Sequence, residues 1–268
     1  MKLKEAYLRA RTALSAVTDE AAREADLIFA RFAGGKRPVL SPDEEIGEEA
    51  LAAAERAVER RLKREPLQYI LGSWGFMGLD FAVGPEALIP RQDTETLCEE
   101  ALRLIKERGY ETLLDICTGT GCIAVSLAKL GGVRAEASDI SPDCVRLARQ
   151  NAERNGVHLT VREADLFRGA GVYDVVTANP PYITDEDMAS LQPEVAFEPA
   201  LALAGGADGL DVCRRIAREA DAHIRRGGAL LMEVGAGEAR AAAALFPGRT
   251  ARIIKDLNGV ERVVVVEF

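Results

Sequence analysis

The sequence predicts an α/β protein: a seven-stranded, mostly parallel sheet with its last strand antiparallel, preceded by a small all-α bundle and a β-hairpin. Three observations carry this. From Thr112 onward, short apolar runs alternate with helical patterns, as in a parallel sheet covered on both faces. The last two runs, Ala251–Lys255 and Arg262–Phe268, are joined by only Asp256-Leu257-Asn258-Gly259-Val260-Glu261, too short for a helical crossover, so they pair antiparallel. Before residue 72 the apolar spacing is helical instead.

In order, Leu3, Tyr7, Leu8 and Leu14 open an amphipathic helix, and Leu27, Ile28, Phe29 and Phe32 mark a second, stopped by Gly34-Gly35. Ser41-Pro42-Asp43-Glu44 reads as a capping box that starts a third helix, continued through Ala50–Leu62. Four or five helices are expected, with the charge run Glu59–Arg64 on a solvated face. Pro66 and Gly72 close the region, and Ser73–Ala87, punctuated by Gly75, Gly78 and Gly84, reads as a hairpin. A helix capped by Asp93 or Thr94 runs to about Arg108. The expected strands are Thr112–Ile116, Arg134–Ser138, His158–Arg162, the run ending at Ala178, Ala229–Val234 and the final two, with helices to Leu130, over Pro142–Asn155 and from about Gly209 to Ile224.

Composition narrows the class. The 268 residues are 48% hydrophobic and 29% charged, an ordinary globular balance, with no run approaching the ~18–20 apolar residues of a membrane span. Met1-Lys2-Leu3-Lys4-Glu5 lacks the apolar core of a signal peptide. Five cysteines, an odd count without C-x-x-C spacing, argue for a reducing compartment, the cytoplasm, and against a disulfide frame or metal site. The net charge of −9 lies wholly beyond residue 75: the first 75 residues carry 13 basic and 13 acidic groups, the rest 21 and 30. Such a balance disfavours direct nucleic-acid binding, which draws on basic neutralisation of phosphates, and suits a cationic small molecule or a protein partner.

Leu113–Ile123 is a strand, a glycine turn and a helix start. Gly119 and Gly121 let backbone approach a ligand, and Gly119-Thr120-Gly121-Cys122-Ile123-Ala124 satisfies the dinucleotide pattern. Asp139, 18 residues after Gly121 at the next strand end, stands where a carboxylate grips both ribose hydroxyls. A nicotinamide reaction needs proton-relay groups, yet the two histidines, His158 and His223, fall in no motif. With S-adenosylmethionine the glycine loop takes the methionine part, Asp115 lies near its ammonium, and Glu163–Phe167 lines the adenine, Asp165 accepting from its amino group.

Asn179-Pro180-Pro181-Tyr182 follows a buried strand. The prolines forbid sheet pairing and helix, leaving a stiff bend that offers an amide, two carbonyls and a ring. Carbonyl oxygens there take the two N–H donors of a planar amino group while an apolar face packs on its plane. Asn-Pro alone is an ordinary turn; the four residues behind a strand, with a glycine loop upstream, point to a site.

Together the Asp-x-x-Thr-Gly-x-Gly loop, Asp139 and this turn resemble a Rossmann-like class I methyltransferase. More specifically, the chain resembles the protein-(glutamine-N5) methyltransferases that modify class 1 peptide-chain release factors. The likeness extends to Pro66–Gly72, Leu88–Glu95, Phe197–Leu203 and Asp256–Arg262. It implies S-adenosylmethionine held by Asp115, Cys117, Thr118, Gly119, Thr120, Gly121, Asp139, Asp165, Leu166 and Asn179. It also implies a glutamine of a Gly-Gly-Gln motif held by Asn179, Pro180, Pro181 and Tyr182, with Asn179, Pro180 and Tyr182 catalytic. The expected division is residues 1–71 for substrate recognition, 72–90 as hairpin linker and 91–268 for methyl transfer, in a monomer. Three positions depart from the commonest pattern: Cys117 for glycine, Leu166 for an aromatic and Gln92 for proline. The first expects a small residue at negative φ. The alternatives are an adenine-specific DNA methyltransferase, since Asn-Pro-Pro-Tyr is shared with that class, and a nucleotide-sensing module without catalysis.

Overall fold

The computed structural model describes residues 1–268. Two units divide it: residues 1–72 with 192–197, and residues 73–191 with 198–268.

The first unit is helical: α1 (Leu3–Leu14), α2 (Ala21–Phe32), α3 (Glu48–Leu62) and the short α4 (Leu67–Leu71). Their apolar faces supply its core, with Leu3, Leu14, Ile28 and Phe29 almost fully buried. Two expectations fail here. The predicted cap at Ser41 does not start a helix, because the backbone of residues 42–46 is used elsewhere. Leu3 N–H donates to Glu44 O, Lys4 N–H to Pro42 O and Ile46 N–H to Met1 O, so α3 begins at Glu48. Nor is the charge run fully solvated. Arg61 is buried, with its Nε donating to Glu24 at 2.7 Å and its Nη1 to Glu194 at 2.9 Å, while Glu59 and Lys63 stay exposed. Arg64 also pairs with Glu194, at 2.8 Å.

The second unit opens with the antiparallel hairpin β1 (Ser73–Phe76) and β2 (Leu79–Ala82). It continues with α5 (Asp93–Arg108), β3 (Thr112–Ile116), α6 (Cys122–Gly131), β4 (Arg134–Asp139), α7 (Pro142–Arg154), β5 (Thr160–Glu163) and β6 (Tyr173–Ala178). Then come a two-residue β7 (Ile183–Thr184), α8 (Asp185–Met188), β8 (Ala204–Gly206), α9 (Asp211–Glu219), β9 (Ile224–Glu233), α10 (Ala239–Ala243), β10 (Thr250–Lys255) and β11 (Glu261–Glu267). The main sheet has seven strands in the order β10-β11-β9-β6-β3-β4-β5, with β11 antiparallel to both neighbours and every other pairing parallel. His158 falls outside β5, and the small parallel pair β7–β8 was not legible in the sequence.

Strand residues alternate between two cores. Leu113, Val175, Leu231 and Val263 face α5 and α6; Leu114, Val176, Leu230 and Val264 face α9 and α10. This explains why β3, β6 and β9 read as continuous apolar runs: both faces are covered. The chain runs outward from β3 to β4 and β5, then returns to lay β6 on the other side of β3. The gap between β3 and β6 is therefore the topological switch point, where open α/β sheets bind ligands beyond the carboxyl ends of their strands.

Candidate active site

Register brings the site together. Ile116, the last residue of β3, pairs with Ser138 of β4 and with Ala178 of β6. The three segments at the ends of these strands, residues 117–121, 139–141 and 179–182, thus leave the sheet side by side. A cavity of about 200 Å³ opens there, lined by Cys117, Thr118, Gly119, Thr120, Asp139, Asp165, Leu166, Asn179 and Pro181 among the expected residues. Asp115, Gly121, Pro180 and Tyr182 do not line it.

The glycine loop is fixed from beneath. Thr118 Oγ1 donates to Asp115 Oδ2 at 2.6 Å and Thr177 Oγ1 donates to Asp115 Oδ1 at 2.7 Å. Asp115 is wholly buried, and burial pushes its carboxyl up to about 7 against those two hydroxyls. It supports the loop rather than facing the cavity. Gly121, at φ +78°, caps α6; a Cβ there would lie 3.0 Å from Ala148 Cβ and 3.1 Å from Ala148 Cα, so only glycine lets α6 start this close to α7.

Cys117 corrects an expectation. Its φ is +56°, in the left-handed region, not negative. The position that commonly carries glycine keeps glycine's geometry here, and the Cβ is strained by about 1–2 kcal/mol. Leu166, the second departure, also lies at positive φ, +49°, with its carbonyl accepting from Ser138 Oγ at 3.0 Å.

Asp139 stands at the cavity wall with its carboxylate pinned by backbone. Gly119 N–H donates to Oδ2 and Ser141 N–H to Oδ1, each at 2.9 Å. Burial still pushes its carboxyl above the usual range. Asp165 pairs with Arg215 at 2.6 Å. A fixed carboxylate at a strand end beside the apolar Ile140 and Leu166 fits the sugar and base of a nucleoside, and the loop at 117–120 leaves room for an attached arm.

Asn179 lines the opposite wall, its Nδ2 donating to Thr94 Oγ1 at 3.3 Å. Pro180 is buried, and burial pushes the Tyr182 hydroxyl up to about 12. The bend is backed by glycines that sequence reasoning did not single out. A Cβ on Gly205 would stand 2.6 Å from Tyr182 Cα, and one on Gly209 would stand 2.5 Å from Tyr182 O. Ile183 N–H donates to Leu203 O at 2.8 Å, tying the bend to that segment through β7 and β8.

Two more contributors were missed. Asn151 is a buried asparagine on the apolar face of α7. Its Nδ2 donates to Thr120 O at 2.9 Å and to Ala82 O at 3.0 Å, and its Oδ1 accepts from Ala82 N–H at 2.7 Å. One amide so clips the hairpin to the glycine loop; an amide among Val145, Ala148 and Ala152 was the available signal. Glu233, buried at the end of β9, is the other.

Comparison with known proteins agrees with this architecture. The family profile described as PrmC N-terminal domain matches residues 5–72, and that of ribosomal protein L11 methyltransferase (PrmA) matches residues 91–196. The chain is 46% identical over 230 residues to a release factor glutamine methyltransferase of Geobacter sulfurreducens, covering 83% of this chain and 80% of that one. It is 34% identical over 282 residues to the protein of the same name from Clostridium acetobutylicum, covering 99% and 98%. Among solved structures, the T. Thermophilus 16S rRNA methyltransferase RsmC, in complex with AdoMet and guanosine, shares the fold at a TM-score of 0.52 and 16% identity, over 73% of this chain and 49% of that one. Likeness over nearly the full length, including the helical region that precedes the sheet, places this chain in the release factor glutamine methyltransferase family.

Proposed function

We propose that the protein transfers a methyl group from S-adenosylmethionine to the side-chain amide nitrogen of a glutamine, in a Gly-Gly-Gln motif of class 1 peptide-chain release factors. The observation that carries this reading is the convergence of Asn179, the Cys117–Thr120 loop and Asp139 on one cavity. When bound, the cofactor supplies an electrophilic methyl on a sulfonium. Asp139 takes the ribose hydroxyls, residues 117–121 give room to the methionine arm, and Leu166 and Asp165 border the adenine.

An amide nitrogen is a poor nucleophile because its lone pair is delocalised into the carbonyl. Asn179 Oδ1 and the Pro180 carbonyl each accept one N–H of the substrate amide, which aims the lone pair and stabilises positive charge growing on nitrogen. Pro181 packs beside the amide plane, and Tyr182 stiffens the bend. The proton leaves after transfer, so no strong base is needed at this wall.

Residues 1–71 recognise the release factor beyond its glutamine, 72–90 link, and 91–268 carry the transfer; the protein works as a cytoplasmic monomer without direct nucleic-acid contact. No helix is long and apolar enough to cross a membrane. The adenine-specific DNA methyltransferase reading is not favoured, because the relatives carry the glutamine enzyme's name over the whole chain. The test is mass spectrometry of a class 1 release factor incubated with the protein and isotopically labelled cofactor. Label on the glutamine of Gly-Gly-Gln is expected; label on DNA alone, or none on the factor, refutes the reading.

A further inference from the structure

Behind Asn179 lies a buried polar chain that the transfer reaction as described does not use. Ala178 pairs with Met232 across β6 and β9, so the next residues of those strands, Asn179 and Glu233, emerge together. Thr94, in the first turn of α5, meets them. Asn179 Nδ2 donates to Thr94 Oγ1 at 3.3 Å, and the Glu233 carboxyl lies close enough to both side chains for each to favour its charge. A hydroxyl that accepts from Asn179 has its own proton to give, and a carboxylate is an acceptor only. The chain therefore has a direction, Asn179 to Thr94 to Glu233. Glu233 Oε2 is sealed from solvent with no partner, an arrangement packing alone would not favour.

We infer that Glu233, acting through Thr94, is a positioning residue that holds the Asn179 carboxamide in the flip state presenting Oδ1 to the substrate nitrogen. This rests on the proposed role of Asn179. A carboxamide has two flip states of nearly equal shape but opposite hydrogen-bond character. With Nδ2 committed to Thr94, the oxygen is left to the cavity; the reverse flip would present donors to a substrate that is itself a donor.

The chain also has a switch. Glu233 faces Arg262 from β11, which favours its charge, and Asp93 from α5, which opposes it. Tyr182, Cys98 of α5 and Cys122 of α6 are the other titratable groups in its field. Burial is the largest effect and raises the carboxyl to about 7. Once protonated, Glu233 donates to Thr94, the hydroxyl turns its proton toward Asn179, and the chain reverses. Turnover then falls on the acid side because the amide flip is lost, with the cofactor site untouched.

The experiment measures kcat on a release factor from pH 6 to 9 for the wild type, Glu233→Gln, Thr94→Val and Thr94→Ser, with binding of S-adenosylhomocysteine to each. The Asn179 side-chain amide resonance is followed over the same range without cofactor. The wild type should show an acid limb centred near pH 7, with the Asn179 amide titrating in step. Glu233→Gln should lose both. Thr94→Val should lose roughly 10- to 100-fold in kcat with cofactor affinity unchanged, and Thr94→Ser should restore it. An acid limb of the same midpoint in Glu233→Gln, or wild-type turnover in Thr94→Val, overturns the inference. Wild-type turnover in Asn179→Ala would instead remove the reading on which it rests.

Discussion

Glu198 Oε2 accepts the backbone N–H of Ile89 at 3.0 Å, while its other oxygen is paired with Arg91. The two segments lie 109 residues apart in sequence, and both border the cavity through Ile89, Arg91 and Pro199. The Glu198 side chain is almost completely buried, so it supplies the segment at 88–91 with a partner that water cannot replace. Glu198→Ala leaves a buried N–H unpaired, at about 1–3 kcal/mol. A fall of roughly 4–8 °C in the unfolding midpoint is expected for a loss near 2 kcal/mol. Glu198→Gln, still able to accept from Ile89, should lose less. Equal midpoints for wild type and Glu198→Ala in a calorimetric scan would show that this bond does not hold the wall.

Asn179 is where chemistry and orientation meet. Asn179→Ala should lower kcat by about 10²–10³, the scale for removing one preorganised hydrogen-bonding group from a transition state. Affinity for S-adenosylhomocysteine, measured by calorimetry, should move little. Loss of cofactor binding in parallel with turnover would mean that Asn179 serves the cofactor alone.

Cys117 is a glycine-loop residue whose backbone geometry opposes its side chain. Left-handed backbone costs a Cβ-bearing residue about 1–2 kcal/mol, and glycine's extra unfolded-state freedom returns about 0.5–1 kcal/mol of that. Cys117→Gly should therefore stabilise the protein by roughly 0.5–1 kcal/mol in urea unfolding. A destabilised variant would mean that the thiol's packing at the cavity wall outweighs the strain.

Much of the fold was legible because its signals are local. The apolar runs of β3, β6 and β9 are buried on both faces, and Asp139 is a charged residue ending a buried strand. What was hidden depends on distant partners. The Ser41 cap fails because α1's backbone takes the groups a helix start would need. Arg61 reads as a surface charge until Glu24 and Glu194, 37 and 133 residues away, close around it. Asp115 was expected near the cofactor's ammonium, yet its oxygens are taken by Thr118 and Thr177; the loop motif shows that an acid belongs there, not which way it faces.

The Asp115 carboxyl sets a pH dependence of known sign. Its pKa is raised in the folded state to about 7, so between the ordinary carboxylate range and that value the folded protein holds a proton the unfolded chain has lost. The stability it contributes is complete below about pH 4 and disappears as pH rises through about 7. Glu233 and Asp139, also raised, act in the same direction. Asp115→Asn keeps the shape and can bond both threonine hydroxyls. The difference in unfolding free energy, wild type minus variant, should thus decrease from pH 5 to pH 8 in urea titrations. A difference that is flat or rising would contradict a raised carboxyl at this position.

Gly205 tests whether the bend at 179–182 must sit where it does. An added methyl would meet Tyr182 Cα at 2.6 Å, Tyr182 C at 2.7 Å and Gly209 Cα at 2.8 Å, all backbone atoms with no rotamer to change. The backbone of Gly205 is not left-handed, so Gly205→Ala acts by collision alone, whereas Gly209 at φ +77° would add strain. Relief requires the bend to shift by several tenths of an ångström, and misplacement by about 1 Å costs on the order of 10²-fold in rate. Gly205→Ala should therefore reduce kcat about 10-fold or more while cofactor affinity stays near wild type. Gly47→Ala, which meets nothing within 4 Å, is the matched control. Full turnover in Gly205→Ala would mean that the position of the bend is not what aligns the substrate amide.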